Sequence, residues 1–203
     1  MIARHRAKRS RFATGVLLLG ALAIGGVVTA VTPDTDVHAR PFAHRGTVGE
    51  PVDGRTFEAT VVGFRGAARF ATDEIAAPDK EHDTDGIWLI VTLRVVAKDK
   101  TTTIGYGAVR DARGRTYLAS TRIDQPLVGS GRDLQPGIPV EGDVVFEVPR
   151  DAVTSLDLLL ADPSLDLRLD ALVEVPLPID ATMVDQWLRI PSPGKVSDPK
   201  VVA

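Results

Sequence analysis

Gly86-Ile87-Trp88-Leu89-Ile90-Val91-Thr92-Leu93-Arg94-Val95-Val96 is the strongest strand signal in the chain. Residues 87–91 are apolar without a break; a period of two then sets in, with Thr92 and Arg94 on one side and Leu93 and Val95 on the other. A short, β-branched-rich run of this kind reads as a strand covered on both faces at first and half exposed later.

Other strands follow outward from it. Residues 56–62 alternate clearly, and 103–110 and 115–121 flank Asp111-Ala112-Arg113-Gly114, a hairpin loop ending in glycine. Residues 140–148 are closed by Pro149, and 155–161 are stopped by the turn dipeptide Asp162-Pro163. Leu165, Leu167 and Leu169 alternate with Asp166, Arg168 and Asp170 before the chain runs on to Val175. About seven short strands between turn signals predict an all-β, immunoglobulin-like antiparallel β-sandwich over residues 46–175. No long helical pattern separates the strands, which argues against a parallel α/β sheet. Trp88 and Phe146 lie on the two strongest strands, and one or both are expected in the sandwich core.

Residues 1–12 form a basic segment. Arg4, Arg6, Lys8, Arg9 and Arg11 precede residue 12, and no acidic residue occurs before Asp34. Residues 13–32 are uncharged and mostly apolar. They are long enough as a helix to cross a hydrocarbon core of about 30 Å. The basic flank then places the N-terminus in the cytoplasm and the rest outside, with membrane lipid as the first partner. The alternative is a cleaved signal, since Val28-Thr29-Ala30 and Val37-His38-Ala39 carry small residues where a signal peptidase reads. Residues 33–45 mix Pro, Asp, His and Arg without periodicity and read as a linker. Residues 176–203 are a proline-rich tail in which a regular element is disfavoured over most of the length.

The 27 acidic residues outweigh the basic residues left after the N-terminal cluster, so nucleic acid is not an expected partner. The chain has no cysteine, which removes disulfides, thiolate ligands, cysteine nucleophiles and lipidation at cysteine. Aromatic residues make up 5%, so Val, Leu, Ile and Ala must supply the core.

Two clusters stand apart from the strands. Asp79, Glu81, Asp83 and Asp85 carry oxygen at alternate positions, the donor type a calcium ion takes. The loop glycine and terminal glutamate of a calcium-binding loop are missing, so a solvated charged loop is preferred and no metal is expected. In the tail, Met183, Val184, Trp187, Leu188 and Ile190 form an apolar group. Either it docks on the sandwich or Trp187 and Leu188 bind a partner, as aromatic residues do at interface hot spots; docking is preferred because an exposed indole invites aggregation.

The strand 86–95, Tyr117 after the Gly114 turn, and Leu134-Gln135-Pro136-Gly137 followed by Gly142-Asp143-Val144-Val145-Phe146-Glu147-Val148-Pro149 carry a resemblance. Together they resemble the extracytoplasmic immunoglobulin-like domains of unknown function of Gram-positive bacteria. That family is similar in fold to a secreted immunoprotective mycobacterial antigen. The resemblance implies an external location and supplies no catalytic residue or cofactor. Family members are often lipoproteins, which this cysteine-free chain is not.

Catalytic signatures are missing as well. Gly129-Ser130-Gly131 lacks the spacing of a nucleophile elbow, and Gly105-Tyr106-Gly107 lacks the third glycine and lysine of a phosphate loop. A serine triad would have to recruit His82, because His5 is cytoplasmic in this topology and His38 and His44 fall in the linker. The expected function is a membrane-anchored, extracytoplasmic binding module without catalysis or cofactor, with a protein or envelope polymer as partner. The alternatives are an accessory subunit of a membrane transport or secretion complex and, less favoured, an exported hydrolase.

Overall fold

A computed structural model describes residues 40–203 apart from 75–76, 123–126, 130–131 and 163–166. The anchor or signal segment 13–32, the basic segment before it, His5, His38 and most of the expected linker lie outside the described residues. Among the described residues, no helix is long and apolar enough to cross a membrane.

Two sheets face each other. The first has the order β1-β9-β8-β5-β6, from β1 (Phe42–Arg45), β9 (Ala171–Leu177), β8 (Leu156–Ala161), β5 (Tyr106–Arg110) and β6 (Thr116–Leu118). The second has the order β10-β3-β4-β7-β11, from β10 (Gly194–Lys195), β3 (Phe57–Glu74), β4 (Ala77–Ala97), β7 (Val140–Val148) and β11 (Lys200–Val201). A short β2 (Pro51–Asp53) pairs with the start of β3. The all-β sandwich is as expected, with strands β3 to β9 in the seven expected regions.

Four further strands raise the number among the described residues to eleven. β1 falls in the segment read as linker, and β10 and β11 fall in the tail. All four (β1, β2, β10, β11) have four residues or fewer, too short for alternation to show. β1 pairs with β9, and β10 with β3, in parallel, so the sandwich is not purely antiparallel. The alternating stretch before Asp170 is not a strand among its described residues: β9 starts at Ala171, after Leu169 turns at φ 59°.

β3 and β4 form one long hairpin bent by register shifts. Val61 pairs with Leu93 and Gly63 with Thr92, so Val62 bulges out and is exposed. The acidic stretch expected as a loop is instead the first part of β4, paired with residues 69–74 of β3.

The core between the sheets is built from the odd positions of β4 (Ile87, Leu89, Val91, Leu93, Val95) and the even positions of β7 (Val144, Phe146, Val148), against Leu156, Leu158, Leu160, Val173 and Val175. Phe146 is therefore where the sequence reading puts it. Trp88 is fully buried too, but on the other side: with Phe70, Ile90 and Val145 it forms a second cluster on the outer face of the six-stranded sheet. Period-two geometry requires this, since neighbours on a strand point to opposite faces.

The tail docks on the sandwich in two parts, the helix on the core between the sheets and the stretch after it on the Trp88 cluster. α1 (Ala181–Arg189) is capped by Asp180, whose Oδ1 accepts the Met183 N–H at 2.8 Å. Trp187 packs directly over Gly66 of β3, where a Cβ would collide with the indole, and meets Phe64 edge to face at 6.4 Å. Beyond the helix, residues 191–201 cross the outer face, and Val196 packs on the Trp88 cluster.

Candidate functional site

At one end of the sandwich, β1 from one sheet and β2 from the other border a groove of about 410 Å³. It is lined by Phe42, His44, Asp53, Arg55, Lys98, Leu169 and Ala171. Arg55 also lines an adjoining hollow of about 440 Å³ with Thr56, Asp99, Lys100, Asp162 and Asp170.

Local turns set these side chains. Asp53-Gly54-Arg55-Thr56 reverses the chain between β2 and β3: the Gly54 N–H donates to the Phe57 carbonyl at 2.8 Å, and the Arg55 N–H to Asp53 Oδ1 at 2.7 Å. That arrangement holds Arg55 at φ 72°. Among the described residues three non-glycine residues have positive φ, and two of them, Arg55 and Leu169, line the groove. Such conformations cost an L-residue about 1 kcal/mol or more and gather where a surface is held in one shape.

Charge pairs frame the opening. Lys98 Nζ sits 3.0 Å from Asp53 Oδ2, and Arg55 Nη1 3.2 Å from Asp170 Oδ1. The hydrogen bond from Lys98, and then that from the Arg55 N–H, hold the Asp53 carboxyl below its ordinary range; the same contact with Asp53 raises Lys98. Asp162 Oδ2 accepts from the hydroxyls of Thr56 at 3.0 Å and Thr102 at 2.8 Å, tying three loops together. Between these charges Phe42 and Leu169 stand 60% and 59% exposed. The arrangement suits contact with an apolar group flanked by polar or charged ones.

The residues singled out in sequence lie elsewhere. Glu81 and Asp83 are exposed on alternate positions of β4, and Glu81 pairs with Arg69 at 2.9 Å. Asp85 is exposed in the irregular stretch between the Asp83–Arg69 and Trp88–Ala67 pairings. The Asp79 side chain lies outside the described residues. A strand spreads alternate side chains about 7 Å apart rather than converging them. Among the described residues, no group of three or more His, Asp or Glu is placed to hold a metal. His82 is buried, its ring stacked on Phe70 at 4.8 Å. Trp187 is buried in the core and Leu188 packs against it from a half-buried position.

Sequence reading missed the groove because its residues come from turns, from the segment read as linker and from the alternating stretch read as the last strand. Asp53-Gly54 is a turn signal that could have pointed to one wall. Nothing local marks Phe42 or Leu169 as its neighbours.

The fold thus defines the class: a two-sheet, all-β sandwich protein. A family model described as "Domain of unknown function (DUF4352)" matches residues 46–166, more than half of the chain, and the chain belongs to that family. Among curated proteins, no sequence match is found. Three solved structures are similar. An uncharacterized β-sandwich protein from Clostridium difficile 630 is 8% identical, with 68% of this chain and 96% of that one covered at a TM-score of 0.45. The YjhA protein of Bacillus subtilis is 15% identical, covering 64% and 98% at 0.44. The secreted protein MPT63 of Mycobacterium tuberculosis is 15% identical, covering 67% and 98% at 0.42.

Proposed function

We propose that the chain is a membrane-anchored, extracytoplasmic binding module of the bacterial cell envelope, built on an immunoglobulin-like sandwich and without catalysis. The observation that carries the binding role is the groove between β1 and β2. Two exposed apolar side chains, Phe42 and Leu169, stand there between charge pairs, on a backbone held in place at Arg55 and Leu169. The anchor and the external location rest on the sequence alone: five basic residues, then an uncharged span, then the acidic remainder. The partner is a protein or an envelope polymer that presents an apolar group beside charges.

A photo-crosslinking residue in place of Phe42 or Leu169, in the full chain in intact cells, tests this reading. Adducts are expected at both positions and not at Val62, which is exposed on the β3 bulge. Equal labelling at all three positions, or none at the groove, sinks it. Reading the chain as an accessory subunit of a membrane complex rests on Gly15, Gly20, Gly25 and Gly26, which would let another helix approach. Co-purification with a polytopic protein that survives groove substitutions but not replacement of the span would favour it.

A further inference from the structure

The outer face of the six-stranded sheet carries an occupant whose mode of attachment has a consequence. From Pro191 to Val202 the chain is held almost wholly through its backbone. The Pro191 carbonyl accepts from Arg69 Nη2 at 2.9 Å, and the Lys195 carbonyl from Arg65 Nη2 at 2.6 Å. Asp143 brackets Ser197: its Oδ2 accepts the Ser197 N–H at 2.8 Å and its own N–H donates to the Ser197 carbonyl at 3.3 Å. The Pro199 carbonyl accepts from Arg132 Nη1 at 2.9 Å, and the Val202 N–H donates to the Pro139 carbonyl at 3.0 Å. β10 and β11 add ladder pairings to β3 and β7.

The anchoring side chains are themselves well held. The Asp143 side chain is 1% exposed, salt-bridged to Arg65 at 2.6 Å and bonded to the Thr92 hydroxyl at 2.6 Å. Val196 covers the Phe70, Trp88, Ile90 and Val145 cluster, while Ile190 and Val201 stay exposed. Gly142 leaves no room beyond what Pro199 fills, a Cβ there lying 3.0 Å from the Pro199 Cα. The strap itself lies outside the family match, which ends at residue 166, whereas the residues that receive it lie within it.

We infer that this face is a receptor track for an extended strap, and that its second occupant is the strap of another copy of the same chain. The occupant is identified by fit: residues 194–202 fill the track in cis, and reciprocal exchange would repeat each of their contacts in trans without new complementarity. The hinge is present at Ile190-Pro191-Ser192-Pro193, between α1 and β10. Its two prolines keep the link extended rather than folded back. α1 stays on its own β3 through Trp187 and Gly66, so the exchange begins only after the helix. A strap that leaves uncovers a contiguous apolar cluster, which drives the track to be refilled.

The cysteine-free sequence permits a clean test. A Cβ on Gly194 would lie 3.1 Å from the Ala67 Cβ, inside the about 3.5 to 4.5 Å that a disulfide spans, so the strap has to move out by a few tenths of an ångström for the bond to close. The full chain carrying both Ala67→Cys and Gly194→Cys should close an internal disulfide and migrate as a monomer. Two differently tagged full chains, one Ala67→Cys and the other Gly194→Cys, co-expressed and mildly oxidised, should give a covalent heterodimer at twice the chain mass. Peptide mapping should find the 67–194 bond, and Val62→Cys in place of Ala67→Cys should give none. An internal bond in the double variant with no cross-chain bond in the mixture overturns the exchange. Cross-linking at Val62 equal to that at Ala67 overturns it too, as random collision. Failure of the internal bond removes the strap from β3 and the proposal with it.

Discussion

The groove at the end of the sandwich and the strap-covered face of the six-stranded sheet are built on opposite principles. The groove is made of short strand ends and the turns beside them, its charges are paired but solvated, and its apolar side chains Phe42 and Leu169 are open. The covered face is regular strand, its aromatic side chains Phe70 and Trp88 are shut away, and its one buried carboxylate is held from several sides. An apolar surface on a sheet has to be covered for the domain to stay soluble, whereas two apolar side chains set among charges can remain exposed. The first surface is thus covered by the chain's own tail, and the second stays open to solvent.

Removing the tail after Ile179 is expected to have the largest effect. It deletes α1 and the strap, hence the Trp187 contact with Gly66 and the Val196 cover. Loss of a buried Trp alone costs about 3 to 5 kcal/mol, so the truncated domain should lose about 5 kcal/mol or unfold, and bind a hydrophobic dye. An unchanged denaturation midpoint would erase the distinction between the two surfaces.

The next effect pairs two aromatic residues. Trp88→Ala should cost about 4 kcal/mol because the ring is fully buried and its Nε1 donates to the His82 carbonyl at 3.0 Å. Arg122, 4.9 Å above the indole, loses its platform in the same variant. Phe42→Ala, in contrast, should stay within about 0.5 kcal/mol of the parent. Similar losses at the two sites, by urea denaturation, would mean that the groove is part of the core.

Asp143→Asn is expected to cost about 2 kcal/mol, the range for a hydrogen bond to a charged group. Burial pushes the Asp143 pKa up, but the bonds from Arg65, Thr92 and the Ser197 N–H outweigh it and hold the carboxyl below its ordinary 3.8. A carboxyl whose folded pKa is depressed stabilises fully above its unfolded value and loses that stabilisation as pH falls through the folded one. The parent should therefore keep the strap at pH 5 and weaken below about pH 4. The Asn variant should show a shallower acid limb, and parallel acid limbs would remove Asp143 from the latch.

The smallest effect on stability belongs to the groove itself. Lys98→Ala breaks an exposed pair with Asp53 and should leave the denaturation midpoint nearly unchanged, because solvent and salt screen such a pair. It should return Asp53 toward its ordinary carboxylate range, visible by NMR titration, since Lys98 is the main cause of the depression. An unmoved Asp53 would take that pair out of the groove's electrostatics.

Much of the architecture was legible along the chain. The run Ile87-Trp88-Leu89-Ile90-Val91 is apolar on both faces, and the structure buries both. Gly142 to Val148 reads as a core strand ending before Pro149, and β7 ends at Val148. The Asp111–Gly114 turn sits where its glycine, at φ 81°, allows it. The acidic stretch misled because charged residues at alternate positions are compatible both with a loop and with the solvent side of a hairpin, and only the pairing partner in β3 decides between them.

By itself the sequence determined the all-β class, the seven principal strands and the need for cover on both sides of β4, because side-chain alternation is a property of each strand's own backbone. The tertiary structure alone decided what provides that cover and where a groove forms. Val196 packs on the Trp88 cluster, and Phe42 lines one groove with Leu169, across more than a hundred residues, and a placement so distant leaves no periodic trace in a proline-broken tail or a four-residue strand.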